Sequence, residues 1–176
     1  PAGIDPNLVL LTATVTDADG DSDSADIDLG SQISFLDDGP SISLEDVSTP
    51  TLSVDESFLA TDDTADFSGV FASSFGADGA GDVTYAVSIN GGDGTDSGLV
   101  DSVSGEAVLL YMNGDTIEGR TETGDDVVFV ISVDGSGNVT LDQQRAVIHD
   151  SADEPDTSEP AGIDPNLVLL TATVTD

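Results

Sequence analysis

Apolar and polar residues alternate along much of this chain, and this two-residue period limits the fold more than any other feature. The alternation is clear over 9–16 and 83–89, and the same two-residue spacing relates Val127, Phe129, Ile131 and Val133. Because successive side chains of a β-strand point to opposite faces, such stretches predict strands with one buried face. Glycine and aspartate interrupt the chain about every 8 to 12 residues, which is the turn spacing of all-β folds. No stretch of a dozen residues has helical spacing, so we expect strands throughout.

Turns between the alternating runs predict hairpins. An acidic segment separates two runs within 8–36, where we expect a hairpin with Ile33 and Phe35 extending its second arm. Turns at 113–115 and 134–138 predict two further hairpins. A succession of such hairpins favours an antiparallel, immunoglobulin-like β-sandwich.

Residues 1–17, PAGIDPNLVLLTATVTD, return without change at 160–176. An unchanged repeat indicates recent duplication, so we interpret the chain as one 159-residue unit of a tandem array plus the start of the next copy. The predicted domains are the final hairpin of the preceding repeat at 1–36, a linker at 37–40, and a β-sandwich at 41–176 that lacks its last strand. Since a minimal sandwich needs only about 100 residues, two small subdomains per unit are the alternative.

The charge of the chain is extreme. There are 36 acidic residues against Arg120 and Arg145, and the formal net charge is −34. Such a surface repels nucleic acid phosphates and anionic lipid headgroups, so we expect cations as partners, no nucleic acid and no membrane insertion. We expect each arginine to form a structural ion pair within the fold. The absence of cysteine excludes disulfides and thiolate metal sites.

Three segments carry a resemblance to a known family: LTATVTDADGDSDSADIDLG at 11–30, FLDDGPSI at 35–42 and GNVTLDQQRAVIHD at 137–150. They resemble the repetitive extender domains of giant RTX (repeats-in-toxin) adhesins, which gram-negative bacteria secrete through type I systems. The resemblance implies tandem β-sandwiches that bind calcium, largely at or near their junctions, and hold a terminal ligand-binding region away from the cell. It also implies a secreted protein of the bacterial cell surface.

The first metal candidate is the group Asp17, Asp19 and Asp21. Carboxylates at alternate positions around a glycine turn can converge on one hard cation, as in the first half of an EF-hand loop. The acidic residue that an EF-hand needs at position 12 would be Asp28, which the alternation places in a strand, so the loop is not an EF-hand. The alternative is an ordinary Asp-Gly hairpin turn without a metal.

The second candidate is the pair Asp37 and Asp38 in the linker 37–40. Adjacent carboxylates repel each other unless a cation lies between them, so we expect this linker to bind calcium. Weaker candidates, each with plain solvated charge as the alternative, are Asp55, Glu56, Asp125, Asp126, Asp150, Asp153, Glu154 and Asp156.

Two other features carry little weight. The stretch GGDGTDSGL at 91–99 resembles the calcium-binding nonapeptide of β-rolls, but a single copy cannot form the stacked ion sites that the motif needs. His149 is the sole histidine, and neither a cysteine nor a GxSxG nucleophile motif accompanies it. We therefore do not expect an enzyme.

These features favour a structural extender that calcium makes rigid. One alternative is a calcium-dependent module that binds a glycan or a protein, although the chain lacks tryptophan for a sugar-stacking platform. Another is adaptation of an acidic surface to high salt, with no specific ion site.

The expected sandwich also lacks a strand whose counterpart is 25–36. In this sandwich class the first and last strands leave from opposite ends, so a short linker cannot fold that strand back into its own domain. We therefore expect the hairpin 8–36 of one molecule to complete the sheet of the next, in head-to-tail rows in a crystal, with the duplicate arm 167–175 displaced or disordered. This exchange would unite, across two molecules, the five expected calcium ligands Asp17, Asp19, Asp21, Asp37 and Asp38.

Overall fold

The computed structural model describes residues 2–77, 79–149 and 160–176. Within these ranges the chain is all-β, its sheets are antiparallel, and no α-helix occurs, as the alternation predicts. Short 3-10 turns cover Gly30–Gln32, Glu56–Phe58 and Ser68–Val70. The strands are β1 (Ala2–Gly3), β2 (Leu10–Thr16), β3 (Ser22–Asp28), β4 (Ser34–Phe35), β5 (Ser41–Leu44), β6 (Asp63–Asp66), β7 (Phe71–Ser74), β8 (Asp82–Ile89), β9 (Thr95–Val100), β10 (Ala107–Asn113), β11 (Thr116–Thr121), β12 (Val127–Val133), β13 (Asn138–Gln143) and β14 (Val168–Thr175).

The chain divides into two compact units. The amino-terminal unit is Pro1–Gly39 with Gly76–Asp78, and the large unit is Pro40–Phe75 with Gly79–Asp176. The two copies of the repeated segment therefore fall in different units.

In the amino-terminal unit, β2 and β3 form the expected hairpin, paired from Leu10↔Asp28 to Thr16↔Ser22. The expectation that Ile33 and Phe35 extend its second arm is wrong. The Asp28 carboxylate accepts a hydrogen bond from the Gly30 backbone N–H at 2.9 Å, and the chain then makes a 3-10 turn. As a result β4 pairs with β1 instead of β2.

The large unit contains a six-stranded sheet in the order β6-β13-β12-β11-β10-β9. Two further two-stranded sheets belong to this unit, β14-β8 and β5-β7. The predicted hairpins around 113–115 and 134–138 are present as β10–β11 and β12–β13. The short strands β5 and β7 were not predicted.

The core of the large unit lies between the six-stranded sheet and the β14-β8 sheet. Val108, Leu110, Ile117 and Val128 are fully buried on the larger sheet, and Val87 of β8 is buried with them. Partly buried Val168 and Leu170 of β14 pack against the same cluster. Two antiparallel sheets that share one apolar core are consistent with the predicted β-sandwich.

The second copy of the repeated arm is seated within the large unit. Every residue of β14 pairs with β8, from Val168↔Ile89 to Thr175↔Asp82. In a single chain this arm is therefore in place, not displaced or disordered as we expected for the exchanged assembly. No helix in the described ranges is both long and apolar enough to cross a bilayer.

Candidate metal centre

The first candidate group lies in the turn that joins β2 to β3. The Asp17 N–H donates to the Asp21 carbonyl at 2.9 Å, and the Asp17 carboxylate accepts hydrogen bonds from the N–H groups of Gly20 and Asp21 at 3.1 and 3.0 Å. Gly20 has a φ of +102°, a backbone conformation that glycine adopts without strain. The turn thus fixes the Asp17 carboxylate in place.

This turn brings the three predicted carboxylates together. One oxygen from each of Asp17, Asp19 and Asp21 lies within 4.8 Å of the others, and all three residues are exposed. Two oxygens that bind one calcium ion at 2.3–2.6 Å can be no farther apart than about 5 Å, so the spacing fits a shared ion. A hydrogen bond with the Asp19 side chain is the main cause that lowers the pKa of Asp17, and backbone N–H groups lower it further.

A second turn in the chain has the same backbone design but neutral partners. Across 134–138 the Asp134 N–H donates to the Asn138 carbonyl at 3.0 Å, and the Asp134 carboxylate accepts from the N–H groups of Ser136 and Asn138. The Asn138 side-chain amide also donates to Asp134, at 2.8 Å.

The two turns differ in how the carboxylate at their first position is satisfied. Position by position, Asp19 and Asp21 of the first turn stand where the second turn has Ser136 and Asn138. Asn138 closes its turn with a donated hydrogen bond, whereas an ionised Asp21 has no proton to donate. The first turn therefore carries three carboxylates whose negative charge a cation can neutralise, whereas the second turn carries only the carboxylate of Asp134.

The linker pair lies apart from this group. Asp37 and Asp38 are exposed and follow β4, and neither belongs to the cluster at Asp17. A Cβ on Gly76 would lie only 2.9 Å from the Asp38 backbone carbonyl, so a glycine is required where the segment at 76 meets the linker. This close approach could not be predicted from the sequence, because it joins segments that are distant in the chain.

Several weaker candidates have structural partners. Asp55 caps a 3-10 turn by accepting from the Ser57 N–H at 2.8 Å. Glu56 lies 3.5 Å from the His149 ring. The remaining four weak candidates within 150–156 lie outside the described residues.

Both arginines form the ion pairs that the charge balance predicts. Arg145 donates from Nε and Nη2 to the two oxygens of Asp101, each at 2.9 Å, and Asp101 is completely buried. Ser104 adds hydrogen bonds from its N–H and its hydroxyl at 2.7 Å. The Arg145 hydrogen bonds, followed by those of Ser104, hold the pKa of Asp101 far below its ordinary range despite burial. Asp126 lies 3.3 Å from the same guanidinium.

Arg120 forms the second ion-pair group. Its Nε donates to Glu118 at 2.8 Å, and its Nη1 lies 3.1 Å from the Asp125 carboxylate. Glu118 is nearly buried and also accepts from the Asn113 amide, which is the main cause that lowers its pKa. Asp125 and Asp126 thus partner arginines, a role that sequence alone could not assign among 36 acidic residues.

The stretch 91–99 is confirmed not to be a β-roll turn. It forms the connection after β8 and most of β9, which pairs antiparallel with β10. The Asp93 carboxylate accepts from the Met112 N–H at 2.8 Å, and the Asp96 carboxylate accepts from the Gly98 N–H at 3.0 Å. These acids therefore stabilise the local backbone.

A known protein family matches most of the chain. Residues 51–176 match the family described as a domain of unknown function, DUF5801. The match covers most of the chain and contains every strand of the six-stranded sheet. The turn of Asp17, Asp19 and Asp21 precedes the matched region. No curated protein and no solved structure matches the chain. Because the matched region spans more than half of its residues, the chain belongs to the DUF5801 family.

Proposed function

We propose that this chain is a structural extender module of a secreted bacterial surface adhesin, made rigid by calcium. The observation that carries the proposal is the repeated segment: one sequence serves both as β2 of the amino-terminal unit and as β14 of the large unit. When two units of one chain each contain the same strand sequence, the chain has the organisation of a tandem array. The immunoglobulin-like topology and the RTX adhesin relationship belong to this proposal.

Calcium has an electrostatic role in the proposal. With a net charge of −34, neighbouring repeats repel each other, and their junctions bend unless a cation neutralises the acidic groups there. A divalent ion held by the Asp17, Asp19 and Asp21 carboxylates, or by Asp37 and Asp38 with a neighbouring turn, removes that repulsion and fixes the junction.

The donor set suits calcium by its chemistry. All the candidate ligands are carboxylate oxygens, which hard cations prefer, and no cysteine competes for them. Three carboxylates supply part of the six to eight oxygens that calcium takes, and water or oxygens of a neighbouring repeat complete the shell. An ion that binds the folded chain alone also raises its stability by mass action.

A calcium titration of the full chain tests the proposal. We expect the melting temperature to rise between excess chelator and about 1 mM calcium, because the ion binds only the folded state. A chain of several joined units should lengthen in small-angle X-ray scattering over the same titration. Isothermal calorimetry gives the number of ions.

Two controls make the result decisive. Sodium chloride at matched ionic strength separates specific binding from general screening of an acidic surface. Magnesium tests ion size, because it demands a tighter octahedral shell. A melting temperature and scattering profile that do not change between calcium and chelator, or that sodium changes equally, contradict the proposal.

A further inference from the structure

The two copies of the repeated segment have different surroundings. Every residue of β2 is exposed, whereas the identical residues in β14 alternate between exposed positions and positions that are partly buried or, at Ala172, buried. Ala172 is only 9% exposed, yet its counterpart Ala13 is exposed. Leu11 is 56% exposed, and its counterpart Leu170 packs against the core cluster. The amino-terminal copy thus carries an apolar face that its own unit does not cover.

That face continues onto β3. Leu11 pairs directly with Ile27, and Ala13 with Ala25, so these four apolar side chains share one side of the hairpin. The opposite side carries polar pairs such as Thr12↔Asp26. Ile27 is 56% exposed. The hairpin is therefore amphipathic, with its apolar side open to solvent.

The large unit contains a seat that fits this hairpin. The second copy of the repeated sequence is β14, which already pairs with β8 in a continuous register from Val168↔Ile89 to Thr175↔Asp82. The β2 sequence is therefore compatible with pairing to β8. Among the described residues, no strand hydrogen-bonds to the other edge of β14, although β5 and β7 of the same unit come close to β14 without pairing with it. The sheet β14-β8 thus has two strands, whereas the sheet on the other side of the core has six.

The core beneath this sheet is incompletely filled. A cavity of about 380 Å³ lies in the large unit, lined mostly by apolar side chains that include Phe67, Val128, Phe129, Val168 and Leu170. Protein interiors have few voids larger than a water molecule, so the residues that the structure describes leave part of this core uncovered. A further strand beside β14, with apolar residues facing inward, would extend that cover.

We propose that copies of this chain assemble head to tail, with hairpin β2–β3 of one copy seated on β8 of the next. In this arrangement β2 takes the place and register of β14, and β3 becomes an added strand beyond it. Ala25 and Ile27 then lie on the core-facing side of the extended sheet, because they pair with the counterparts of Ala172 and Leu170. Each copy offers one hairpin and one seat, so the contact is heterologous and builds rows or rings.

The resident arm competes with the incoming hairpin. The resident arm β14 and the incoming strand β2 present the same residues to β8, so the pairing energy with β8 is the same for both segments. The resident arm is tethered, which gives it an effective concentration in the millimolar range, as for short flexible linkers. The incoming hairpin gains the additional apolar contacts of β3. Assembly should therefore increase with protein concentration and with any change that weakens the resident arm alone.

The duplication provides a matched pair of single substitutions. Ala172→Asp places a carboxylate at a core-facing position of the resident arm and leaves the donor hairpin unchanged. Ala13→Asp places the same group in the same sequence context of the donor hairpin. At about 100 µM, below the millimolar effective concentration of the tethered arm, we expect light scattering to give Ala172→Asp at least twice the mass of Ala13→Asp. Equal masses, or a monomeric Ala172→Asp whether folded or not, overturn the proposal.

Disulfide trapping gives an independent test, because the chain has no cysteine of its own. Thr84 pairs with Thr173, and the proposal places Thr14 of a second copy opposite the same residue. Thr84→Cys with Thr173→Cys should close within one chain and shows that the geometry permits a bond. Thr14→Cys with Thr84→Cys, in the Ala172→Asp background, should give a ladder of linked chains on a non-reducing gel.

The trapping experiment is run both in chelator and in calcium, so that its outcome does not depend on the proposed calcium binding. About 0.5 M sodium chloride reduces the Debye length to a few ångströms and limits repulsion between acidic chains. A ladder in both conditions supports the interface. A disulfide that forms only within single chains, or no disulfide while the control variant closes, overturns it.

Discussion

At the scale of single residues, the buried ion pair of Asp101 and Arg145 is the most consequential contact of the large unit. Asp101 has no exposed surface, and four hydrogen bonds from Arg145 and Ser104 satisfy its carboxylate. Removing one partner of a buried pair leaves an uncompensated charge, which costs about 3–5 kcal/mol. We expect Arg145→Leu to lower the free energy of unfolding by that order, as measured by urea denaturation.

The double variant Asp101→Asn with Arg145→Leu is the control for this prediction. It removes the buried charge together with its partner, and replacing both members of a buried pair is often nearly neutral. We expect the double variant to recover much of the stability that Arg145→Leu loses. Equal losses in the single and double variants would show that packing of the arginine stem, not charge compensation, holds this region.

At the scale of elements, the turns 17–21 and 134–138 share one backbone design, so calcium binding can be tested by exchanging residues between them. The turn 17–21 presents Asp19 and Asp21 where the turn 134–138 presents Ser136 and Asn138. Asp19→Ser with Asp21→Asn gives the first turn the neutral hydrogen bonds of the second. We expect this variant to keep its hairpin and to lose the calcium-dependent part of the thermal stabilisation, as followed by calorimetry.

The reciprocal variant is the control. Ser136→Asp with Asn138→Asp gives the second turn three carboxylates at alternate positions, and we expect it to bind one additional calcium ion. A first-turn variant that retains the full calcium response would place the ion elsewhere, with the linker residues Asp37 and Asp38 as the next candidates.

The elements also show what the sequence could and could not predict. The two-residue spacing of apolar residues located β8, β10 and β12, and the turn residues at 113–115 and 134–138 located the two hairpins. It failed at Ile33 and Phe35, where the alternation continues but a hydrogen bond from Gly30 to the Asp28 carboxylate turns the chain. The cluster at Asp17 could be predicted because its three aspartates occupy alternate positions in a turn that contains a glycine. The pair of Asp101 and Arg145 could not, because the two residues are 44 positions apart and no local pattern indicates their contact.

At the scale of the whole molecule, the repeated segment separates local from tertiary effects. Seventeen identical residues form a strand in both places, so strand formation follows from the local sequence. The burial of one face differs between the copies, since the counterparts of Leu11, Ala13 and Val15 are partly or fully buried only in β14, so burial follows from what surrounds the strand. A prediction from sequence can therefore assign the strand and still not say which copy contributes to a core.

Acid is the condition that sets two whole-molecule effects against each other. Protonating carboxylates relieves the self-repulsion of a chain with a net charge of −34, which favours the folded state. It also removes the hydrogen-bonded carboxylates whose pKa values folding lowers, among them Asp101, Glu106 and Glu118. At physiological salt, screening over about 8 Å weakens repulsion between exposed charges but hardly affects a buried pair.

The second effect should therefore prevail. A carboxyl whose pKa is lower in the folded state contributes stability that is present above its ordinary pKa, which for aspartate is 3.8, and is lost as the pH falls through the folded value. We expect the urea midpoint at physiological salt to fall between about pH 5 and about pH 3. The Asp101→Asn with Arg145→Leu double variant should show a shallower fall, because it lacks the most strongly shifted carboxyl. A midpoint that rises on acidification would mean that self-repulsion, not the loss of paired carboxylates, governs the stability of this chain.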